Sequence, residues 1–262
     1  MRVQVNGEIV TNDDKWLYDW FGIEATAPAD IRAALEGLSD GEELELEINS
    51  GGGMCMAGFE IYSLLRQSGR RCVAVVQSLA ASAASTILQG CTVRRISPVG
   101  QVMIHNPAVC AQGTAADMAQ AQQMLTAIKE SILNAYELRC GDKCGREELA
   151  RLMDEERWMS AQEAVERGLA DEIVTQADET APAWAGSGLV VTNAAGGTAY
   201  GALLGRYEQL VRSGARQADP GHPVAGAPKE EISDPTAQGA GHDRGWRNRA
   251  RLDMEHMRFN RR

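Results

Sequence analysis

The stretch Glu43-Leu44-Glu45-Leu46-Glu47-Ile48-Asn49-Ser50-Gly51-Gly52-Gly53-Met54 joins an alternating run to three consecutive glycines. Alternation of apolar and polar residues is typical of a β-strand with one face in the core. Glycines lack Cβ atoms, so a turn built from them lets backbone N–H groups approach a ligand closely. The stretch lacks the Lys-Ser/Thr of a P-loop and the spacing of a dinucleotide fingerprint, which argues against a phosphate site. The alternative interpretation is that the glycines form a tight turn with no further role.

Segments with strand and helix periodicity alternate on both sides of this stretch. The pattern predicts strands over 2–10, 43–48, 72–77, 92–96 and 102–105, and helices over 28–38, 57–66, 115–139, 161–167 and from 82 onward. Such alternation predicts an α/β domain with a mostly parallel sheet flanked by helices. The apolar run over 73–88 is too short and too polar to span a bilayer, so we assign it to the core.

Composition and charge divide the chain near residue 175. Of its 262 residues 44% are hydrophobic, enough for a sizeable core, and the net charge is −10. Residues 1–175 carry 15 basic and 26 acidic side chains, whereas 176–262 carry 11 and 10. We therefore predict a folded domain over 1–175, followed by a linker and a largely disordered tail with one short helix over 200–211 and a basic end over 244–262. The acidic balance argues against a nucleic-acid or membrane partner and favours a protein or peptide.

The six cysteines and the start of the chain bear on the compartment. The cysteines are too sparse for a disulfide scaffold, so we expect buried thiols of a cytoplasmic protein. Residues 1–10 have strand-like alternation and no signal-peptide pattern. Cys140 and Cys144 have the spacing of a metal pair, but no third ligand is evident, and we expect neither metal nor cofactor.

Three further regions carry reactive side chains. Ser78, Ser82 and Ser85 lie where an apolar strand runs into a helix, a junction that presents a nucleophile to a cleft, although a serine there is usually a helix cap. His105 ends a strand and is the only histidine before residue 222, so a histidine base in the folded domain must be this one, unless it is a satisfied core residue. The acidic run over 154–156 lies shortly before Trp158 and is, taken alone, typical of a solvated helix end.

Four blocks in order resemble the ClpP family of serine peptidases over roughly residues 2–175. They are Ile48-Asn49-Ser50-x-Gly52-Gly53 with Ala57-Gly58-x-x-Ile61-Tyr62, Ala80-Ala81-Ser82, Val102-Met103-Ile104-His105-Asn106-Pro107, and the segment over 158–171. The resemblance implies the ClpP/crotonase-like fold with a long handle helix, and a homo-oligomeric ring. It implies Ser82 as nucleophile, His105 as general base, and the backbone N–H groups of Gly53 and Ala83 as the oxyanion hole.

The chain departs from that family at the third triad position. The family's acid is an aspartate, whereas the matching residue here is Glu156, with Asp154 as the alternative. A glutamate can orient an imidazole, but it reaches about one C–C bond further. Val3 already matches the family's first core strand, so we expect no pore-lining amino-terminal segment.

The departures resemble the ClpP-like prohead maturation proteases of tailed phages and prophages, because they combine an alanine-rich nucleophile segment, Glu-x-Trp over 156–158 and a long tail. This resemblance implies an endopeptidase that processes capsid or scaffold proteins during head maturation. Three alternatives stay open: a cellular ClpP paralogue that works with an ATP-dependent unfoldase, a crotonase-like acyl-CoA enzyme, and an inactive ring that serves as a scaffold.

Overall fold

The computed structural model describes residues 1–174, 198–216, 219 and 221–222. Its eight strands form one sheet, in which β2, β1, β3, β4, β5 and β8 lie side by side and parallel. The strands are β1 (Arg2–Ile9), β2 (Ala25–Thr26), β3 (Leu44–Gly53), β4 (Cys72–Ala81), β5 (Val93–Ile96), β6 (Gln101–Ile104), β7 (Arg157–Ser160) and β8 (Glu172–Ile173). β6 continues beside the end of β4 in parallel, and β7 pairs with β6 in the antiparallel direction.

Helices connect the strands and cover the sheet. They are α1 (Lys15–Phe21), α2 (Pro28–Glu36), α3 (Cys55–Gln67), α4 (Ala83–Gly90), α5 (Ala115–Cys140), α6 (Arg146–Asp154), α7 (Ala161–Glu166) and α8 (Thr198–Arg212). α2 begins at a proline, which is favourable in a first turn because its missing N–H has no helical partner there. Among the described residues, no helix is long and apolar enough to cross a membrane.

The core lies between the sheet and the helices α2, α3 and α4. The inward residues of β3 (Leu44, Leu46, Ile48) are fully buried, as their alternation predicts. Every residue of α4 is buried, so this short helix runs through the middle of the domain, directly after the predicted nucleophile. The predicted α/β fold with its mostly parallel sheet and long helix is therefore confirmed.

Two strands are longer than the sequence indicates. The predicted glycine turn after residue 48 is instead the last part of β3, where Gly52 and Gly53 pair with Glu8 and Ile9 of β1. Both glycines have φ values, +96° and +150°, that other residues rarely adopt. β4 likewise continues through Ala81, so that it delivers Ser82 directly to α4.

The long helix α5 has two different halves. Its carboxyl-terminal half is anchored in the core by Ile132, Leu133, Ala135, Tyr136 and Cys140. Its amino-terminal half is largely exposed, and Met118 and Met124 are among the exposed large apolar side chains of the described residues. Within the described ranges, the core therefore covers the carboxyl-terminal half of α5 and leaves Met118 and Met124 exposed.

The predicted helix over 200–211 is present as α8, which packs on α1 through Leu17, Tyr207 and Val211. The rest of the predicted linker, tail and basic end lies outside the described residues, and the division at 175 stays a prediction. All six cysteines are free. The expectation of buried thiols holds for four of them but is wrong for Cys110, which is exposed on the loop before α5, and for Cys55, which is half-buried at the start of α3.

Candidate active site

Ser82 occupies the junction between β4 and α4 in an unusual backbone conformation. Its φ and ψ are 51° and −123°, a region in which residues other than glycine are strained. The neighbouring structure fixes this conformation, because the Ser82 N–H donates to the Met103 carbonyl of β6 at 2.9 Å while the Ser82 carbonyl accepts the first hydrogen bonds of α4. A sharp turn from strand to helix presents the hydroxyl above the carboxyl ends of the strands.

His105 follows β6, which lies beside the end of β4, so the sheet brings its ring to Ser82. The His105 Nε2 and Ser82 Oγ atoms are 2.7 Å apart, a hydrogen-bond distance. Burial lowers the pKa of His105 from its ordinary value, and the Glu156 carboxylate opposes that shift. A lowered pKa keeps the imidazole neutral at pH 7, which is the form that can accept a proton.

The two candidate acids have different surroundings. Asp154 accepts hydrogen bonds from the Lys129 ammonium at 2.6 Å and the Asn106 amide at 2.8 Å, and these bonds lower its pKa. Glu156 acts on His105 by its charge. Within the described residues no hydrogen bond joins the Glu156 carboxylate to His105. Glu156 is exposed and has a φ of 50°, so the backbone turns sharply just before β7. Of the two, Glu156 is the one whose charge affects the pKa of His105, and its role as the triad acid stays a prediction.

The glycine run of β3 lies directly against the nucleophile. A Cβ atom on Gly52 would lie 2.6 Å from the Ser82 Cβ and 2.9 Å from the Ala83 nitrogen, so only glycine fits there. A Cβ on Gly53 would meet the Ile9 carbonyl oxygen at 2.2 Å. Ala83 is the first residue of α4, where the N–H has no partner within the helix and the helix dipole is positive. The predicted oxyanion donors, the N–H groups of Gly53 and Ala83, thus belong to the last residue of β3 and the first residue of α4.

The structure separates the three candidate serines. Ser82 alone contacts His105, whereas Ser78 is exposed on β4 and Ser85 is fully buried in α4. Ser85 Oγ lies 2.7 Å from the Tyr136 hydroxyl of α5, and burial raises the pKa of that phenol to about 12. Sequence reasoning missed Gly52 as the point of contact and missed Tyr136 altogether. The glycine run over 51–53 is the sequence signal that could have indicated the Gly52 contact, but nothing local in the sequence indicates Tyr136.

The possible metal pair Cys140 and Cys144 lies in the described part of the chain. There, no group of three or more His, Cys, Asp or Glu side chains is placed to hold a metal ion. Cys140 and Cys144 are both part of the hydrophobic core, and burial raises the pKa of each thiol, so the thiolate ligand form is disfavoured. The chemistry that the site supports is that of a serine, an imidazole and a carboxylate.

The sequence is similar to those of several known proteins. The ATP-dependent Clp protease proteolytic subunit 2 of Corynebacterium glutamicum is 33% identical over 138 residues, which cover 52% of this chain and 68% of that protein. The ATP-dependent Clp protease proteolytic subunit of Porphyromonas gingivalis is 30% identical over 142 residues, 53% of this chain and 63% of that protein. The ATP-dependent Clp protease proteolytic subunit 1 of Chlamydia trachomatis is 33% identical over 145 residues, which cover 53% of this chain and 74% of that protein.

A family model described as Clp protease matches residues 26–177, which is more than half of the chain. The match includes β3 with its glycines, the junction at Ser82, β6 with the following His105 and the acidic segment before β7. The site is therefore contained in the matched region. On these grounds the chain belongs to the Clp protease family and is a serine-type peptidase.

Proposed function

We propose that Ser82, His105 and Glu156 form the catalytic triad of an endopeptidase that works through an acyl-enzyme. The observation that carries the proposal is the 2.7 Å contact between Ser82 Oγ and His105 Nε2 at a strained strand-to-helix junction. His105 takes the Ser82 proton as the oxygen attacks the scissile carbonyl carbon, and then gives that proton to the leaving amine. Water, activated by the same imidazole, hydrolyses the ester and frees the carboxyl product.

Glu156 supports the imidazolium that forms during each proton transfer. Its negative charge already raises the pKa of His105 against the effect of burial, and this influence grows once the ring is charged. The N–H groups of Gly53 and Ala83 stabilise the oxyanion. Gly52 lies against Ser82, and the two donors belong to the residues that follow Gly52 and Ser82 in the chain. Removing an oxyanion donor typically costs about 10²–10³ in rate.

A labelling experiment tests the nucleophile. Wild-type protein should react with a fluorophosphonate and cleave casein, whereas Ser82→Ala should do neither. Ser78→Ala is the matched control, because Ser78 is an exposed serine four residues earlier on β4 and should label fully. Labelling of Ser82→Ala at the wild-type rate would refute the assignment.

For the substrate, we propose capsid or scaffold proteins processed during phage head maturation, in the cytoplasm of the host cell. Support comes from the sequence of the site: a glutamate at the acid position, Trp158 two residues later and an alanine-rich nucleophile segment. Trp158 is 41% exposed on β7, beside the acid. The second candidate function is proteolysis with an ATP-driven unfoldase, which the names of the relatives from Corynebacterium and Porphyromonas favour.

One assay separates these two functions. The protein is incubated with capsid or scaffold protein and, separately, with a stably folded reporter plus ATP and a Clp-type unfoldase. Nucleotide-independent cleavage of the shell protein at defined sites supports maturation. Degradation of the reporter only in the presence of ATP and unfoldase supports the second function and contradicts the first.

We also propose that the chain assembles into a homo-oligomeric ring. The exposed half of α5 presents Met118 and Met124, which have no partner among the described residues and fit an interface between copies. Sedimentation of the wild-type protein should therefore show an oligomer, and M118E/M124E should dissociate it. A wild-type monomer that cleaves casein would contradict this proposal.

A further inference from the structure

The carbonyl group of Ser82 is held by an unusual number of donors. It accepts the Ser85 N–H at 3.0 Å, the Thr86 N–H at 3.4 Å and the Ser85 hydroxyl at 2.5 Å. The first two are ordinary bonds of a helix start, but the third comes from a side chain that is fully buried. Burial of a hydroxyl is costly unless it is hydrogen-bonded, and here both of its bonds lie inside the protein.

The second bond of the Ser85 hydroxyl leads to α5. Ser85 Oγ lies 2.7 Å from the hydroxyl of Tyr136, a residue with 1% exposure. A serine hydroxyl has one hydrogen, and a carbonyl oxygen only accepts, so Ser85 donates to Ser82 and accepts from Tyr136. The order of donation is therefore Tyr136 O–H to Ser85 O–H to the Ser82 carbonyl. We call this the hydroxyl relay.

The relay acts on the peptide unit that joins Ser82 to Ala83. Peptide bonds in the described residues are trans, so the Ser82 carbonyl and the Ala83 N–H point in opposite directions within one plane. A carbonyl fixed toward the interior of α4 therefore aims the N–H out of the helix, toward the Ser82 side chain and the β3 glycines. Hydrogen bonds to the carbonyl also polarise the peptide and strengthen its N–H as a donor.

We propose that Ser85 and Tyr136 are positioning residues that aim and polarise the Ala83 N–H for stabilisation of the oxyanion. This inference rests on the proposed function and adds to it two side chains that touch neither substrate nor the reacting atoms. It explains why a serine and a tyrosine from separate helices meet in the core immediately behind the nucleophile. It also makes the strained conformation of Ser82 part of the donor geometry, since β6 holds the N–H of this residue and α4 holds its carbonyl.

Kinetics with an oxyanion mimic provide the first test. A peptidyl boronic acid forms a tetrahedral adduct with the nucleophile, so its affinity reports the oxyanion donors, whereas KM reports ground-state binding. We expect Ser85→Ala to lower kcat and boronate affinity about ten-fold with little change in KM, since the donor is misdirected rather than removed. Tyr136→Phe should cost about three-fold, and the double variant should match Ser85→Ala, because the phenol acts through the serine.

Two control variants separate the relay from general loss of stability. Ser68 donates to the Leu65 carbonyl at 2.9 Å, the same three-residue bond as in Ser85, but at the end of α3. Tyr18 is also a buried tyrosine, and it donates to Glu8 at 2.9 Å, away from α4. Ser68→Ala and Tyr18→Phe should lower Tm without changing kcat or boronate affinity. Wild-type boronate affinity in both Ser85→Ala and Tyr136→Phe would overturn the inference.

A nuclear magnetic resonance experiment tests the relay without relying on activity. The sequence contains only two Ser-Ala dipeptides, Ser82-Ala83 and Ser160-Ala161, so protein labelled with [1-¹³C]serine and [¹⁵N]alanine gives two carbonyl–amide signals. We expect Ser85→Ala and Tyr136→Phe to move the Ser82-Ala83 signal upfield in both nuclei and to leave the other in place. A wild-type enzyme inert to fluorophosphonate would overturn the proposed function, whereas an unmoved signal would overturn the relay.

Discussion

The nucleophile side and the acid side of this site are stabilised by different physical forces. On the nucleophile side the contacts are steric and lie between backbones: Gly52 touches the Ser82 turn so closely that a single Cβ atom would overlap it. On the acid side, Glu156 is exposed and influences His105 through charge alone. The contact between Gly52 and Ser82 tolerates no added atom, whereas solvent weakens the electrostatic effect of Glu156 on His105.

This difference sets the size of the effects that substitutions should have. A steric contact inside a sheet cannot be weakened in steps, because even one added methyl group displaces the packed backbone. An electrostatic contact at the surface can be weakened in steps by removing charge or adding salt.

Gly52→Ala should have the largest effect on activity. The added methyl would lie 2.6 Å from the Ser82 Cβ and 2.7 Å from the Ala81 carbonyl oxygen, so the β3 backbone must withdraw from the nucleophile. We expect kcat/KM to fall at least about 10²-fold, the scale of a lost oxyanion donor. The measurement is hydrolysis of a fluorogenic peptide.

Gly51→Ala is the control for that substitution. A Cβ at Gly51 would have no neighbour within 4 Å, so this variant should keep nearly wild-type kcat/KM. A Gly52→Ala enzyme that retained a third of the wild-type rate would show that the glycine contact does not position the site. Equal losses in both variants would locate the sensitivity in the glycine run as a whole.

Glu156→Gln should have a smaller effect, of about 10- to 100-fold on kcat. The amide keeps the shape of the side chain but cannot offset the positive charge that His105 acquires during catalysis. The loss should be well below that for a buried triad carboxylate, since Glu156 is exposed. Asp154→Asn is the matched control and should retain most activity, because Asp154 is engaged by Lys129 and Asn106. The reverse order of the two effects would assign the acid to Asp154.

The pH profile measures the same electrostatic contact more finely. His105 must be neutral to act as a base, so activity rises with pH through its pKa. Burial lowers that pKa, and we therefore expect the acidic limb of kcat/KM to lie below the ordinary value of 6.5. Glu156 raises the pKa of His105, so Glu156→Gln should move the limb to still lower pH. A limb that stays in place in Glu156→Gln would mean that the carboxylate does not act on the imidazole.

The contrast between the two sides also explains what the sequence could predict. β3 and the junction at Ser82 follow from period-two alternation and a run of small residues, which are local signals. His105 is the only histidine before residue 222, so the predicted domain boundary restricted a histidine base to that residue. The acid stayed ambiguous between two carboxylates because its choice depends on Lys129 and Asn106, which come from other parts of the chain.

Long-range partners account for the remaining differences. α1 was missed because Lys15–Phe21 is short and its apolar residues face α8, nearly 200 residues later. α6 was not predicted as an element, although the acidic run at its end was interpreted as a solvated helix end, because charged side chains outnumber the buried Leu149, Leu152 and Met153. Tyr136 carries no local signal, since a phenol on a long helix becomes informative only when Ser85 is placed beside it.

The contact between α1 and α8 should matter least to activity. Tyr207 is 2% exposed, and its ring meets Trp16 and Trp20 edge-on at centroid distances of 5.2 Å and 4.8 Å. Tyr207→Ala removes this packing, which costs about 3 kcal/mol for a buried aromatic ring, but the loss is confined to the docking of α8. We expect red-shifted tryptophan fluorescence and faster proteolysis within residues 198–216, with kcat/KM unchanged. The half-exposed neighbour Glu208 provides the control, Glu208→Ala, which should change neither property. A five-fold loss of kcat/KM in Tyr207→Ala alone would show that α8 acts on the catalytic site.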